Sequence, residues 1–314
     1  MAAMTGRSAE EDGALLVRGL VYVTIAMFLL PGQDAVAKLL SAAVPVVVIN
    51  LARFCLQVGF TLPLLLAAQG WRGLVPNRFW PNVVRGFLIA ASSACFFVAL
   101  QYLPLADALA IFFVEPLIVT ILSALIDKEV VGWRRRAAVL VGFFGAMIVI
   151  RPSFGVFGFV SLLPLAGAFI FSFYIIMNRR LSSHDTPLTM QFISGTTAAL
   201  LMGAVIVAGM VLDIPALQPV ALGWRELALL ALMGALGTTG HLLLVHAAQS
   251  VPSSLIAPFA YLEIVGATVL GYALFGDFPD FWKWVGISII CGAGIYVFWR
   301  ERQLARSQPV ERIV

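Results

Sequence analysis

The chain has 314 residues, 61% of them apolar and only 11% charged, with a net charge of +4 and a mean hydropathy of +0.99. Soluble domains carry about 25% charged residues, so these proportions exclude a soluble enzyme or a nucleic-acid-binding domain. Cys55, Cys95 and Cys291 all lie within apolar runs and are odd in number, which argues against a disulfide framework or a thiolate metal cluster.

A helix needs about 20 apolar residues to cross a bilayer core. The sequence offers such runs over about 17–38, 44–68, 80–102, 104–126, 134–150, 156–180, 187–211, 224–248, 251–275 and 281–299. The expected fold is therefore an all-α polytopic membrane protein of ten transmembrane helices. The first run has no small-residue cleavage pattern after it, so it reads as a retained helix rather than a signal peptide.

In chain order, the first span carries Pro31-Gly32, able to break the helix, and then Asp34 and Lys38. These two are four residues apart, share a helix face and can pair; Lys38 can also snorkel outward. Arg53 stands nine residues into the second span, roughly 13 Å from its start at the helical rise. A charge at that depth usually faces the bundle interior with a partner, and Asp34 or Glu115 is the candidate. Arg85 falls near the start of the third span, where snorkelling explains it. Asp107, just after Pro104, reads as interfacial.

Glu115, followed by Pro116, reaches mid-bilayer on the fourth span, as does Glu263 on the ninth. An acid so placed suits either proton coupling or a hydrogen bond between helices. His241 and His246 are five apart and do not share a face, and no carboxylate spacing suggests a metal. Tyr261 and Gln249 add polar groups to the same half. Gly142, Gly145, Gly286, Gly292 and Gly294 on spans five and ten read as close-packing faces.

A segment of the first half returns in the second at a constant offset of 148 positions: Gln101 with Gln249, Pro104 with Pro252, Glu115 with Glu263, Thr120 with Thr268. Gln, Pro and Glu are scarce here, so their agreement carries the weight. The repeat maps spans three and four onto eight and nine. That shift of five helices, being odd, inverts the second copy across the membrane, as in many secondary transporters. Basic residues gather on one set of loops (Arg72, Arg78, Lys128, Arg134, Arg135, Arg136, Arg179, Arg180, Arg300, Arg302). Only Lys38, Arg151, Arg225 and Lys283 fall on the other. The positive-inside rule then puts both termini in the cytoplasm.

The ordered set of Lys38, Arg53-Phe54, Tyr102, Pro104, Ala106, Glu115-Pro116, Glu129, Trp133-Arg134-Arg135, Gly142, Gly145 and Ile150-Arg151-Pro152, echoed by Pro252, Glu263, Asp277, Gly286 and Gly292, resembles the EamA-type transporters of the drug/metabolite transporter superfamily. Asp277 stands where that family more often has Glu. The resemblance implies two five-helix repeats, residues 17–152 and 153–300, between a cytoplasmic segment 1–16 and a cytoplasmic tail 301–314. It also implies a secondary carrier working by alternating access in the inner membrane.

The expected activity is movement of a small polar or aromatic metabolite, foremost export of an amino acid or derivative. The alternative is uptake of a vitamin or nucleoside-like solute such as riboflavin or S-adenosylmethionine; a membrane-embedded enzyme or a channel is more remote, since no catalytic cluster or filter loop is visible. Asp34, Lys38, Arg53, Glu115, His241, Tyr261 and Glu263 are the expected substrate-binding residues. Expected partners are a small-molecule substrate, membrane lipid and protons, with no nucleic acid, in a monomer or weak homodimer; no cofactor or metal is expected.

Overall fold

The computed structural model describes residues 9–126, 133–181, 184–250 and 262–307. Glu129, Pro252 and Tyr261 of the reading above lie outside the described residues, as does the end of the tail, and the side chains of His246, Gln249 and Arg134 to Arg136 are likewise not described. Every regular element among the described residues is a helix. In chain order these are α1 (Ala9–Leu40), α2 (Val46–Gln69), α3 (Phe79–Leu100), α4 (Leu105–Phe112), α5 (Glu115–Ile126), α6 (Trp133–Phe157), α7 (Leu163–Leu181), α8 (Pro187–Val211), α9 (Trp224–Ser250), α10 (Leu262–Phe275) and α11 (Phe281–Ser307).

Among the described residues, six stretches are long and apolar enough to cross a membrane, including Val17–Leu40, Phe79–Leu100 and Pro187–Val211. Their outward faces are apolar too. Val17, Val21, Ile25 and Phe28 recur at helical spacing along α1 and are exposed, while Val23, Ala26, Met27 and Leu30 beside them are buried. A helix apolar all round belongs in hydrocarbon. Trp71, Phe79, Trp80 and Trp133 at one end of the bundle, and Trp224, Phe281 and Trp282 at the other, are exposed. These rings form the interfacial belts typical of membrane proteins.

The fourth span is not one helix. α4 ends at Phe112 and α5 begins at Glu115. Pro116 explains the new start: it lacks an N–H and fits only the first turn of a helix. Glu115 then sits in the first turn of α5, and Glu263, its repeat partner, sits in the first turn of α10. Both acids thus occupy helix N-termini, where the dipole favours negative charge.

Packing repeats the inversion. The dominant helix pairs are α1 with α9, α3 with α7, α2 with α8 and α6 with α11. Under an exchange of halves, the first two interconvert and the last two map onto themselves. The α6–α11 contact rests on two facing glycines. A Cβ on Gly286 would lie 2.7 Å from the Gly145 carbonyl oxygen, and one on Gly145 would lie 3.0 Å from that of Gly286. Gly142 is close-packed against Leu117, whereas a Cβ on Gly292 would meet nothing within 4 Å, so Gly292 differs from the close-packing expectation.

Candidate functional site

A cavity of about 410 Å³ opens between the halves, lined by α1, α2 and α3 from one side and α7, α8 and α9 from the other. It is off-centre. Thr61, Asn178 and Pro187 place it towards the end that carries the α2–α3 and α7–α8 turns. The opposite end is solid, with Leu40, Leu100, Leu103 and Leu105 nearly free of exposure.

Arg53 lines the cavity from α2. Its Nη1 donates to Ser93 Oγ at 2.6 Å, and Ser93 donates in turn to Asn50 Oδ1 at 2.5 Å. The guanidinium lies over Phe54 at 5.3 Å and Phe97 at 5.5 Å from the ring centroids. Asp34, 7% exposed and hydrogen-bonded by the Gln33 amide at 3.2 Å, is within electrostatic range of Arg53, as is His241. His241 lines the cavity from α9 with Nδ1 2.8 Å from the Gly237 oxygen. That neighbourhood is tight: a Cβ on Gly237 would collide with Gln33 Oε1, so a larger residue there would displace the Gln33 amide.

The expected residues thus separate. Arg53 and His241 line the cavity and Asp34 stands behind them, with Glu263 in electrostatic range of Asp34. Lys38 is directed elsewhere than Asp34. Its Nζ is 3.0 Å from Asp277 Oδ2, donates to the Leu103 oxygen at 2.8 Å and lies over the Phe275 ring at 4.7 Å. This cluster belongs to the packed end, because Asp277 in the α10–α11 turn supplies a charge partner that the helix-face argument did not contain. Glu115 and Glu263 are outside the cavity lining, in the first turns of α5 and α10.

Asp107, expected at the interface, is buried within the protein. It is 1% exposed and paired with Lys283 at 2.6 Å.

Arg85 differs most from its sequence reading. It does not snorkel; it is 2% exposed and lines the cavity. Nη1 donates to the Met190 oxygen at 2.7 Å and to Asn82 Oδ1 at 3.3 Å, and Nη2 to the Tyr174 hydroxyl at 3.2 Å. The guanidinium carbon also lies 5.0 Å from the Tyr174 ring centroid. Tyr174 stacks on Phe171 with centroids 5.2 Å apart and planes at 22°, and Phe112 and Phe96 extend the series. Gln57, Gln191 and Asn178 add amides to the wall. No Asp or Glu is found among the described lining residues. The sequence signal for Arg85 equals that for Arg53, a charge several residues inside a span, but only helix packing distinguishes a cavity from the interface. Gln57 and Tyr174 had no repeat partner to single them out.

The profile of the EamA-like transporter family matches residues 17–151 and again residues 158–299. The chain belongs to the EamA-like transporter family. The two matches coincide with the two halves seen in the packing, so this EamA-type chain is a multi-pass membrane transporter. It is 27% identical over 268 residues to a riboflavin transporter of Vibrio cholerae, covering 85% of this chain and 87% of that protein. It is 26% identical over 276 residues to an S-adenosylmethionine uptake transporter of Rickettsia prowazekii, covering 88% and 90%. A solved crystal structure superposes with a TM-score of 0.62 at 19% identity, over 93% of this chain and 99% of that one, a likeness of fold. The relatives support a carrier and fit the uptake alternative; amino-acid export finds no support among them.

Proposed function

We propose that this protein is an uptake carrier for a flat, acceptor-rich heteroaromatic solute of the flavin kind. One observation carries the reading: the stacked Phe171–Tyr174 pair shares a cavity wall with two arginines and several amides, while the described lining holds no carboxylate. The volume, about 410 Å³, is in the range of small-molecule sites. Riboflavin is a neutral tricyclic ring with carbonyl and imine acceptors, which suits aromatic stacking and guanidinium donors. S-adenosylmethionine carries a sulfonium and an ammonium, and Arg53 and Arg85 would repel both. The wall chemistry therefore favours the flavin class over the sulfonium class.

In this reading the halves rock about the cavity in alternating access. The loop charges make the end near the α2–α3 and α7–α8 turns cytoplasmic, so the cavity described above faces inward. Arg53 and His241 form the solute-facing polar cluster, with Asp34 behind them as the acid of Arg53, and Glu115 and Glu263 are the groups for proton coupling.

The test is uptake of labelled riboflavin into proteoliposomes. Saturable flux, inhibited by unlabelled riboflavin and indifferent to S-adenosylmethionine, is the expected result; flux of S-adenosylmethionine without riboflavin flux would overturn it. Riboflavin flux that ignores an imposed pH gradient would remove the proton-coupling part alone.

A further inference from the structure

Arg85 is a buried cation that no carboxylate among the described residues touches. Its Nε has no hydrogen-bond acceptor among the described residues. The acceptors on its other nitrogens, the Met190 carbonyl, the Asn82 amide and the Tyr174 hydroxyl, are all neutral. Asp185 is the acid closest to it in the hydrogen-bond network, but reaches it only through Asn82. That carboxylate is already held by the Asn77 backbone N–H at 2.6 Å and the Asn82 Nδ2 at 2.8 Å. Arg53 is different, since Asp34 acts on it electrostatically.

A guanidinium taken out of water is costly unless a charge partner is supplied. The groups that touch the guanidinium directly are all neutral, and the free Nε–H is an unmet donor. Arginine presents its donors as a planar fork suited to two oxygens of one anion. Nε and Nη2 form one edge of that fork. Nε is unpartnered, and Nη2 is held only by a 3.2 Å contact to a neutral hydroxyl.

We propose that Arg85 is the oxyanion subsite of the cavity, binding a carboxylate or phosphate of the solute beside the Tyr174 ring, so that the carrier prefers anionic aromatic solutes to their uncharged counterparts. The assignment deepens the reading of this cavity as the solute site and rests on it. It extends the flavin class from the neutral ring to its phosphorylated form. The preference is a property of Arg85, not of net cavity charge, because Arg53 has its own acid.

The experiment titrates the purified full-length protein in detergent micelles with phenyl phosphate, benzoate and uncharged benzamide, alongside riboflavin and riboflavin 5′-phosphate. Wild-type protein is expected to bind phenyl phosphate or benzoate at least tenfold more tightly than benzamide, the stronger of the two identifying the preferred anion. Riboflavin 5′-phosphate is expected to bind more tightly than riboflavin. In R85Q the anion preference, the ratio of anion to benzamide affinity, falls at least tenfold, and R85K keeps part of it.

Equal wild-type affinity for charged and uncharged probes overturns the proposal, and this comparison needs no variant to fold. Unchanged preference in R85Q also overturns it, because the anion then binds elsewhere. The two readings fail separately. Arg85-dependent binding of the simple anions without riboflavin flux sinks the flavin reading alone, and riboflavin flux without anion preference sinks only the subsite.

Discussion

Lys283 Nζ lies 2.6 Å from Asp107 Oδ2, tying the last helix of the second repeat to half-helix α4 of the first. The side chains are 14% and 1% exposed, so the pair is effectively buried. Together with Lys38 and Asp277, it joins the halves at the end away from the cavity.

Removing one member of a buried pair leaves the other charge uncompensated and costs about 3–5 kcal/mol. Asp107→Asn is therefore expected to lower stability by about that amount, read as a shift in chemical unfolding in detergent. The double variant Asp107→Asn with Lys283→Met is expected to recover more than half of the loss. An additive double variant would show that the pair is not coupled.

Asp277 is 33% exposed, and water screens its attraction to Lys38. Asp277→Asn is expected to cost only about 1 kcal/mol, the upper range for exposed pairs. The same unfolding assay checks it. A loss as large as that of Asp107→Asn would contradict the difference in burial.

Arg53 is fixed by the Ser93 hydroxyl and by Phe54 and Phe97. A hydrogen bond to a charged group contributes about 1.5–3 kcal/mol, so Arg53→Ala is expected to reduce solute flux at least tenfold. Ser93→Ala removes one contact and leaves the charge, and its effect is expected to be smaller. Flux assays at matched protein content read both; normal flux in Arg53→Ala would remove Arg53 from the transport site.

Phe171 acts through stacking area, Tyr174 through both ring and hydroxyl. Aromatic pairs contribute about 0.5–1.5 kcal/mol beyond burial. Phe171→Leu is expected to raise KM for uptake about two- to tenfold with kcat little changed. Tyr174→Phe keeps the ring and frees Arg85 Nη2, so its KM for an uncharged aromatic solute is expected to stay within twofold.

The facing glycines Gly145 and Gly286 give a packing test. A Cβ at Gly286 would meet Val149 Cγ2 at 2.5 Å and a backbone oxygen at 2.7 Å, and backbone cannot move aside cheaply. Gly286→Ala is expected to cost about 1–3 kcal/mol. Gly292→Ala on the same helix, with nothing in reach, is expected to stay within about 0.5 kcal/mol. Equal effects would show that helix propensity, not approach distance, governs this face.

Much of this architecture could be read before any packing was known. The apolar runs gave the membrane class because backbone groups in hydrocarbon must pair within helices. The scarce letters of the repeat gave the inversion, since an odd shift in helix number reverses direction through the bilayer. Even Glu115 and Glu263 correspond, as first-turn acids of α5 and α10.

What the sequence determined is therefore whatever depends on counting along the chain: solvent, spans and repeat. Tertiary structure decided which of two similar charges faces the cavity. Arg85 and Asp107 both read as boundary residues, yet α7 and α8 close over the first and α11 brings Lys283 to the second. Asp34 and Lys38, neighbours on one face by spacing, part company because Asp277 arrives from the other half. Ion pairing and cavity shape depend on contacts between residues far apart in sequence, and helical spacing holds no information about those partners.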